Sequence, residues 1–335
     1  MTMISIGDLA QNLVLRHRGS ALQTSIATLT QELASGTVKD VSARLGGDHS
    51  YLADVERRLT KLDGFDTATS EARLFAETAQ AALEQLQDTT AKFGTDLLSS
   101  VPTTIMTILD QSAERAGREL EAAISLLNGG VAGQNLFGGT ATDRAPLADA
   151  GALLDGLRIA VSGAATAEDI RIAADTWFAD PAGFESQIYQ GSATSRAAVN
   201  VGAGQQVDLS LRADNAMFRE TLKALGLAAL SNDVSLGLDA TAQNELLRDS
   251  GETMLSVQSD LSGVRSGLGD SQARIDETAV RNAAERSALT LARNTLLEAD
   301  PYETAVRLTD AQFRLESLYT ATVRTAQLSL VRFLS

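Results

Sequence analysis

The chain has 335 residues with 28 basic and 43 acidic side chains, a formal charge of -15, and 44% hydrophobic residues. That apolar share supports a sizeable core and argues against global disorder, while so acidic a surface repels a phosphate backbone and disfavours sequence-independent nucleic-acid binding. Zero cysteines exclude disulfides, thiolate metal sites and cysteine nucleophiles, and two histidines, His17 and His49, leave no histidine-rich metal site.

At roughly 150 residues per domain, the length suits about two domains or one elongated body. The N-terminus lacks a basic n-region and meets Asp8, Gln11 and Asn12 before an apolar stretch can form, so a cleavable signal peptide is not expected. No segment reaches the ~20 apolar residues of a transmembrane helix, and no membrane insertion is expected.

The first helix is predicted from Ile6 to Ser35. Leu22, Ile26, Leu29 and Leu33 form a stripe of coiled-coil spacing, and Gly36 supplies the left-handed residue that ends it. Thr37 to Ser50 reads as a connector. A second helical run covers 52–98, where Phe65, Ala68, Ala72, Phe75, Ala79, Ala82, Leu86, Thr89 and Phe93 alternate by three and four. A third helix, capped by Thr103 or Thr104, is predicted to reach Leu127 and stop at Asn128-Gly129-Gly130, and Gly133 to Thr140 predicts a short hairpin.

Residues 148–206 differ in kind. Leu157-Arg158-Ile159-Ala160-Val161 alternates like a strand, helical pieces follow around 167–178, and the segment is expected to be a small inserted α/β or β-rich domain. Helical pattern resumes over 215–230 and again over 240–297, where Leu247, Met254, Val257, Leu261, Val264, Leu268 and Ile275 keep a heptad. Asp300-Pro301-Tyr302-Glu303 is a helix start with Asp as cap, proline at the first position and Glu at the third. The last helix carries Leu308, Leu315, Leu318, Ala326, Leu330 and Phe333, with Val306, Phe313, Leu328 and Val331 on its other faces, and a helix so apolar all round suits burial in an assembly.

The expected fold is therefore mainly α, an elongated antiparallel coiled-coil bundle pairing N- and C-terminal segments, with a short β-hairpin and a small middle insertion. Three regions follow: a terminal helical assembly domain of 1–40 and 300–335, a helical rod of 41–147 and 207–299, and the outer insertion 148–206. The charge has the same layout, since residues 51–300 hold 20 basic and 36 acidic residues and the two ends are close to neutral.

No catalytic pattern stands out. Gly263-Val264-Arg265-Ser266-Gly267-Leu268-Gly269 lacks the Lys-Ser/Thr of a phosphate loop, and its small residues are expected to ease helix contact instead. The acid pairs Asp63/Asp66 and Asp239/Glu245 read as solvated helix faces. An enzymatic alternative would place activity in the insertion, on Trp177, Asp169, Asp175 and Asp180, but no nucleophile accompanies them. Neither an enzyme nor a cofactor is expected. The residues chosen as an assembly interface are Leu22, Ile26, Leu29, Leu33, Leu308, Leu315, Leu318, Leu328, Leu330 and Phe333.

Three passages carry a resemblance. Leu29-Thr30-Gln31-Glu32-Leu33-Ala34-Ser35-Gly36 resembles the helix end of the flagellin superfamily. Asn135-Leu136-Phe137-Gly138-Gly139-Thr140-Ala141-Thr142-Asp143-Arg144-Ala145-Pro146 resembles the Gly-Thr/Lys-x-Thr-x-x-Pro hairpin of its hook–filament junction branch. Leu328-Ser329-Leu330-Val331-Arg332-Phe333-Leu334 is similar to that branch's ending. The resemblance covers about 1–146 and 207–335. It implies a flagellar structural subunit exported unprocessed through the flagellar channel to an extracellular site. There it would form a homo-oligomeric ring between the other junction protein and flagellin, with an export chaperone as a further partner. Flagellin itself is the alternative, although Asp40-Val41-Ser42-Ala43-Arg44-Leu45-Gly46-Gly47-Asp48 departs from the Asp-Asp-Ala-Ala-Gly loop of many flagellins.

Overall fold

A computed structural model describes residues 6–100 and 105–334, with side chains over 13–99 and 105–324. Among these residues the protein is mainly α, with ten α-helices and two short antiparallel hairpins. It divides into two compact units, one of residues 1–62 with 284–335 and one of residues 63–283.

The first unit contains α1 (Ile6–Ser35), the short α2 (Val41–Arg44), the start of α3 (Ser50–Ser100), the end of α9 (Gln258–Leu297) and α10 (Pro301–Leu334). α1 packs on α10. Gly36, at φ +69°, ends α1 and donates its N–H to Glu32 O at 2.8 Å, as the glycine stop predicts. The next residues pair with the α9–α10 connection: Val38 N donates to Leu297 O at 2.8 Å, and Ala299 N to Gly36 O at 3.0 Å. Asp300 Oδ1 then accepts from Tyr302 N at 2.8 Å and Glu303 N at 3.1 Å, so the predicted cap forms.

In the second unit lie the rest of α3, α4 (Met106–Leu127), α5 (Ala150–Ala160), α6 (Ala167–Ala179), α7 (Ala216–Leu230), α8 (Ala240–Ser256) and α9 up to residue 283. The hairpins pair β1 (Gly130–Val131) with β2 (Gln134–Asn135) and β3 (Val199–Gly202) with β4 (Gln205–Val207). α7 is the central post, buried at every residue from Thr221 to Ala228, and it packs on α4, α5, α6 and α8. The predicted α3 seam faces inward, with Phe65, Ala72, Phe75, Ala79, Leu86 and Phe93 all buried.

α3 runs antiparallel to α8 and α9. Arg73 pairs with Asp276 at 2.7 Å, Gln87 Nε2 donates to Ser262 Oγ at 2.8 Å, and Gln258 Nε2 donates to Thr90 Oγ1 at 3.0 Å. The close approach comes at Gly94 and Gly251, where a Cβ on either would lie 3.1 Å from the other's carbonyl oxygen. Gly263, Gly267 and Gly269, expected to serve that purpose, sit inside α9 with open space around them. The β3–β4 hairpin is tied down through Val201 O, which accepts from Asn282 Nδ2 at 2.9 Å and Thr69 Oγ1 at 3.3 Å.

Three sequence expectations, those for Leu157–Val161, the 240–297 run and the hairpin, need correction. Leu157–Val161 is not a strand: Leu153, Leu157 and Val161 are buried at helical spacing, Ile159 is exposed, and Asp149 caps α5 through Ala152 N. Short alternation fits both periods, and the preceding cap decides for helix. Residues 148–206 place Leu153, Ile170, Phe184 and Val201 in one continuous core with α3, α4 and α7. The 240–297 run breaks at Val257 into α8 and α9. The short strands pair over 130–135 and not over 133–140. The caps proposed at Thr103 and Thr104 lie outside the described residues, and α4 starts after Ile105 without a side-chain cap.

The β1–β2 turn places Ala132 at φ +50° and Gly133 at φ +77°, the two positive values of a type I′ turn. Alanine is strained there and glycine is not. Ala132→Gly should therefore raise the unfolding free energy by about 1 kcal/mol in urea titration, and an unchanged midpoint would contradict the turn.

Arg158 of α5 reaches Asp233, beyond α7, with Nε–Oδ2 at 2.6 Å. Burial pushes the Asp233 carboxyl up, but the Ser235 hydroxyl and backbone N–H together with the Arg158 guanidinium outweigh it and hold the group below 3.8. A carboxyl lowered on folding stabilises the fold above its unfolded value, and that contribution is lost as pH falls through the folded one. The stability gap between the wild type and Asp233→Asn should be widest above about pH 4 and narrow below it. Acid titration of both proteins reads this directly, and a gap constant down to low pH would remove the charge from the account.

Candidate assembly surfaces

α1 and α10 pair antiparallel, since Gly36 meets Ala299 while Gly19, nearly three turns further from the joint on α1 than Leu29, faces Leu318. A Cβ at Gly19 would sit 3.4 Å from Leu318 Cδ2, and Gln23 Nε2 donates to Tyr319 Oη at 2.9 Å. The inner stripe of α1 is Gly19, Leu22, Ile26, Leu29 and Glu32; that of α10 is Thr304, Leu308, Ala311, Leu315 and Leu318. Glu32 is buried, and its Oε1 accepts from Lys39 N at 2.8 Å, which satisfies the carboxylate and folds the connector back.

Six of the ten sequence-selected residues thus lie on the inner stripes: Leu29 is buried, and Leu22, Ile26, Leu308, Leu315 and Leu318 are half-buried. Leu33 continues the α1 stripe but is 40% exposed. Leu328, Leu330 and Phe333 fall beyond the described side chains. A second apolar stripe runs along α10 on the opposite side of the helix. Tyr302, Val306 and Phe313 are 80%, 54% and 67% exposed, spaced so that they recur on one face. Tyr302, Ala305, Val306, Thr309 and Phe313 line a shallow groove, which Ser317, Thr320 and Arg324 continue. Tyr319, beside the seam with α1, and Val323 are also exposed. Burying a Val or Phe side chain in a partner is worth roughly 1.5–3 kcal/mol before association costs, so this stripe is a strong unpaired surface.

The motif around Asn135–Pro146 is a packed loop. Asn135 N donates to Thr142 O at 2.9 Å, and Thr140 N to Thr194 O at 3.1 Å. Gly139 adopts φ +63°, where a Cβ would lie 2.6 Å from Thr194 O, so glycine is required twice over.

The other candidates have structural roles. Trp177 packs edge-on against Phe178 and Phe184. Asp169 bonds Thr166 at the start of α6, and Asp180 caps Ala182 N. Asp175 pairs with Lys223 at 2.5 Å and with Arg171 at 3.1 Å. Asp239 caps α8, and His49 Nε2 lies 3.3 Å from Ser42 Oγ. No group of three or more metal-ligating side chains forms among the described residues, and no described helix is long and apolar enough to cross a membrane.

Residues 254–334, which span α9 and α10, match the family model of the bacterial flagellin C-terminal helical region. The chain is also similar to a solved structure described as a flagellar hook-associated protein from Vibrio parahaemolyticus, at 14% identity and a TM-score of 0.40, over 71% of this chain and 95% of that one. No curated protein sequence matches the chain significantly.

The outer stripe is the part that sequence reasoning left unselected. Its signal was present in the four-three-four spacing of Tyr302, Val306, Thr309 and Phe313, but two apolar stripes on one helix do not reveal which one meets α1. Leu318→Asp should lower hydrogen-exchange protection of α1 about tenfold or more, whereas Phe313→Asp should leave it unchanged. Equal effects of the two substitutions would contradict the division into inner and outer faces.

Proposed function

We propose that this chain is a non-enzymatic structural subunit of the bacterial flagellum and acts as the adaptor at the hook–filament junction. The observation that carries this reading is a flagellin-type C-terminal helix that pairs with the N-terminal helix and still presents an unpaired apolar stripe. In this reading the inner leucines, Leu22, Ile26, Leu29, Leu308, Leu315 and Leu318, hold the terminal hairpin. The outer stripe of α10, with Leu33 and the terminal Leu328, Leu330 and Phe333, makes the contacts between subunits. Near-neutral ends pack side by side without the like-charge repulsion that the acidic 51–300 segment would bring.

The subunit would leave the cell through the flagellar export apparatus without a cleaved leader, escorted by a chaperone, and close into a ring. It would contact the other junction protein on one side and flagellin on the other. The packed Asn135–Pro146 loop, with its required Gly139, favours the junction branch over the filament subunit. Flagellin remains the second reading, because the matched C-terminal region is of flagellin type.

Deletion of the gene separates the two. A junction adaptor predicts hooks without filaments and flagellin released into the medium, with rescue by the wild type and not by Phe313→Asp. Filaments of normal length in the deletion strain would overturn the adaptor reading, and elongation of filament seeds by the purified chain into long polymers would establish the filament subunit.

A further inference from the structure

Val234, in the second unit, is 93% exposed, more than any other large apolar side chain among the described residues. It stands on a short 3₁₀ turn, Val234–Leu236, whose conformation is fixed from several sides. Asp233 Oδ1 accepts from Ser235 N at 2.9 Å and from Ser235 Oγ at 2.7 Å, and its other oxygen holds Arg158. Leu236 N donates to Asp233 O at 3.0 Å, and Gly237 closes the turn at φ +61°. A β-branched side chain on so constrained a backbone has little freedom left to lose on binding, which is the property of a preorganised contact residue.

Beside the turn lies an open cleft of about 560 Å³, where Met106 of α4 and Leu238 supply further apolar surface. Its charged lining is acidic throughout: Asp110 and Glu114 from α4, and Asp233. Asp110 accepts from Gln243 Nε2 at 3.1 Å, and the nearby Arg158 is already committed to Asp155 and Asp233. No lysine or arginine lines the cleft.

We infer that this cleft docks a segment of another protein in which an apolar residue is flanked by lysine or arginine. The apolar residue seats against Val234, Met106 and Leu238, and the basic groups reach Asp110 and Glu114. Charge decides between this occupant and a second copy of the chain, because residues 51–300 carry 36 acidic residues against 20 basic ones and two such surfaces repel. The site is built within the second unit and does not depend on the flagellar reading.

The test uses the full chain and two fluorescein-labelled amphipathic peptides, one of leucine and lysine and one of leucine and glutamate, followed by fluorescence anisotropy. The lysine peptide should bind and the glutamate peptide should not. Val234→Ser, and separately Asp110→Asn with Glu114→Gln, should each weaken the lysine peptide about tenfold or more without changing the melting temperature. Absence of binding, equal binding of both peptides, or wild-type affinity in both variants would overturn the proposal. Val234-dependent self-association of the protein without peptide would overturn it in favour of a second copy.

Discussion

Two helices laid side by side can bury one stripe each and no more, and the terminal part of this protein follows from that limit. α1 and α10 share a narrow seam of leucines, alanine and glycine, closed at one end by the backbone pairing of Thr37 with Glu298. With the seam filled, α10 is left with Tyr302, Val306 and Phe313 facing solvent. A monomer draws no stability from these side chains.

The second unit solves a different packing problem, that of filling space around a helix buried on all sides. α7 is enclosed by four helices, and its one charged core residue, Lys223, is neutralised by Asp175 and Glu220. Buried ammonium groups are tolerated only with such partners. Close helix contact is concentrated where Gly94 meets Gly251, and the β3–β4 hairpin is pinned at one carbonyl, Val201 O, by groups from α3 and α9. These are short-range devices joining residues 81 or more positions apart, which no local pattern encodes.

Much of the fold was legible because its causes are local. The stop at Gly36, the cap at Asp300 and the inward seam of Phe65 to Phe93 each depend on neighbours within a few turns. The failures have equally definite causes. Leu157–Val161 is too short for its period to be decisive, and the break at Val257 interrupts a heptad that continues on both sides. Glycine content at 263–269 suggested close packing that occurs instead at single glycines elsewhere. On the terminal helices, most of the leucines selected from the sequence lie on the stripes that α1 and α10 turn toward each other.

Composition and periodicity alone determined that this is a mainly helical chain without thiol or histidine-rich metal chemistry, with near-neutral ends around an acidic middle. They also fixed where the terminal helices begin and end, because capping and glycine stops act within one turn of the chain. Which of two apolar stripes on α10 packs on α1, and which stays exposed, was decided only by the tertiary pairing. Both stripes satisfy the same helical period, and a period records a shared face but not the neighbour that covers it.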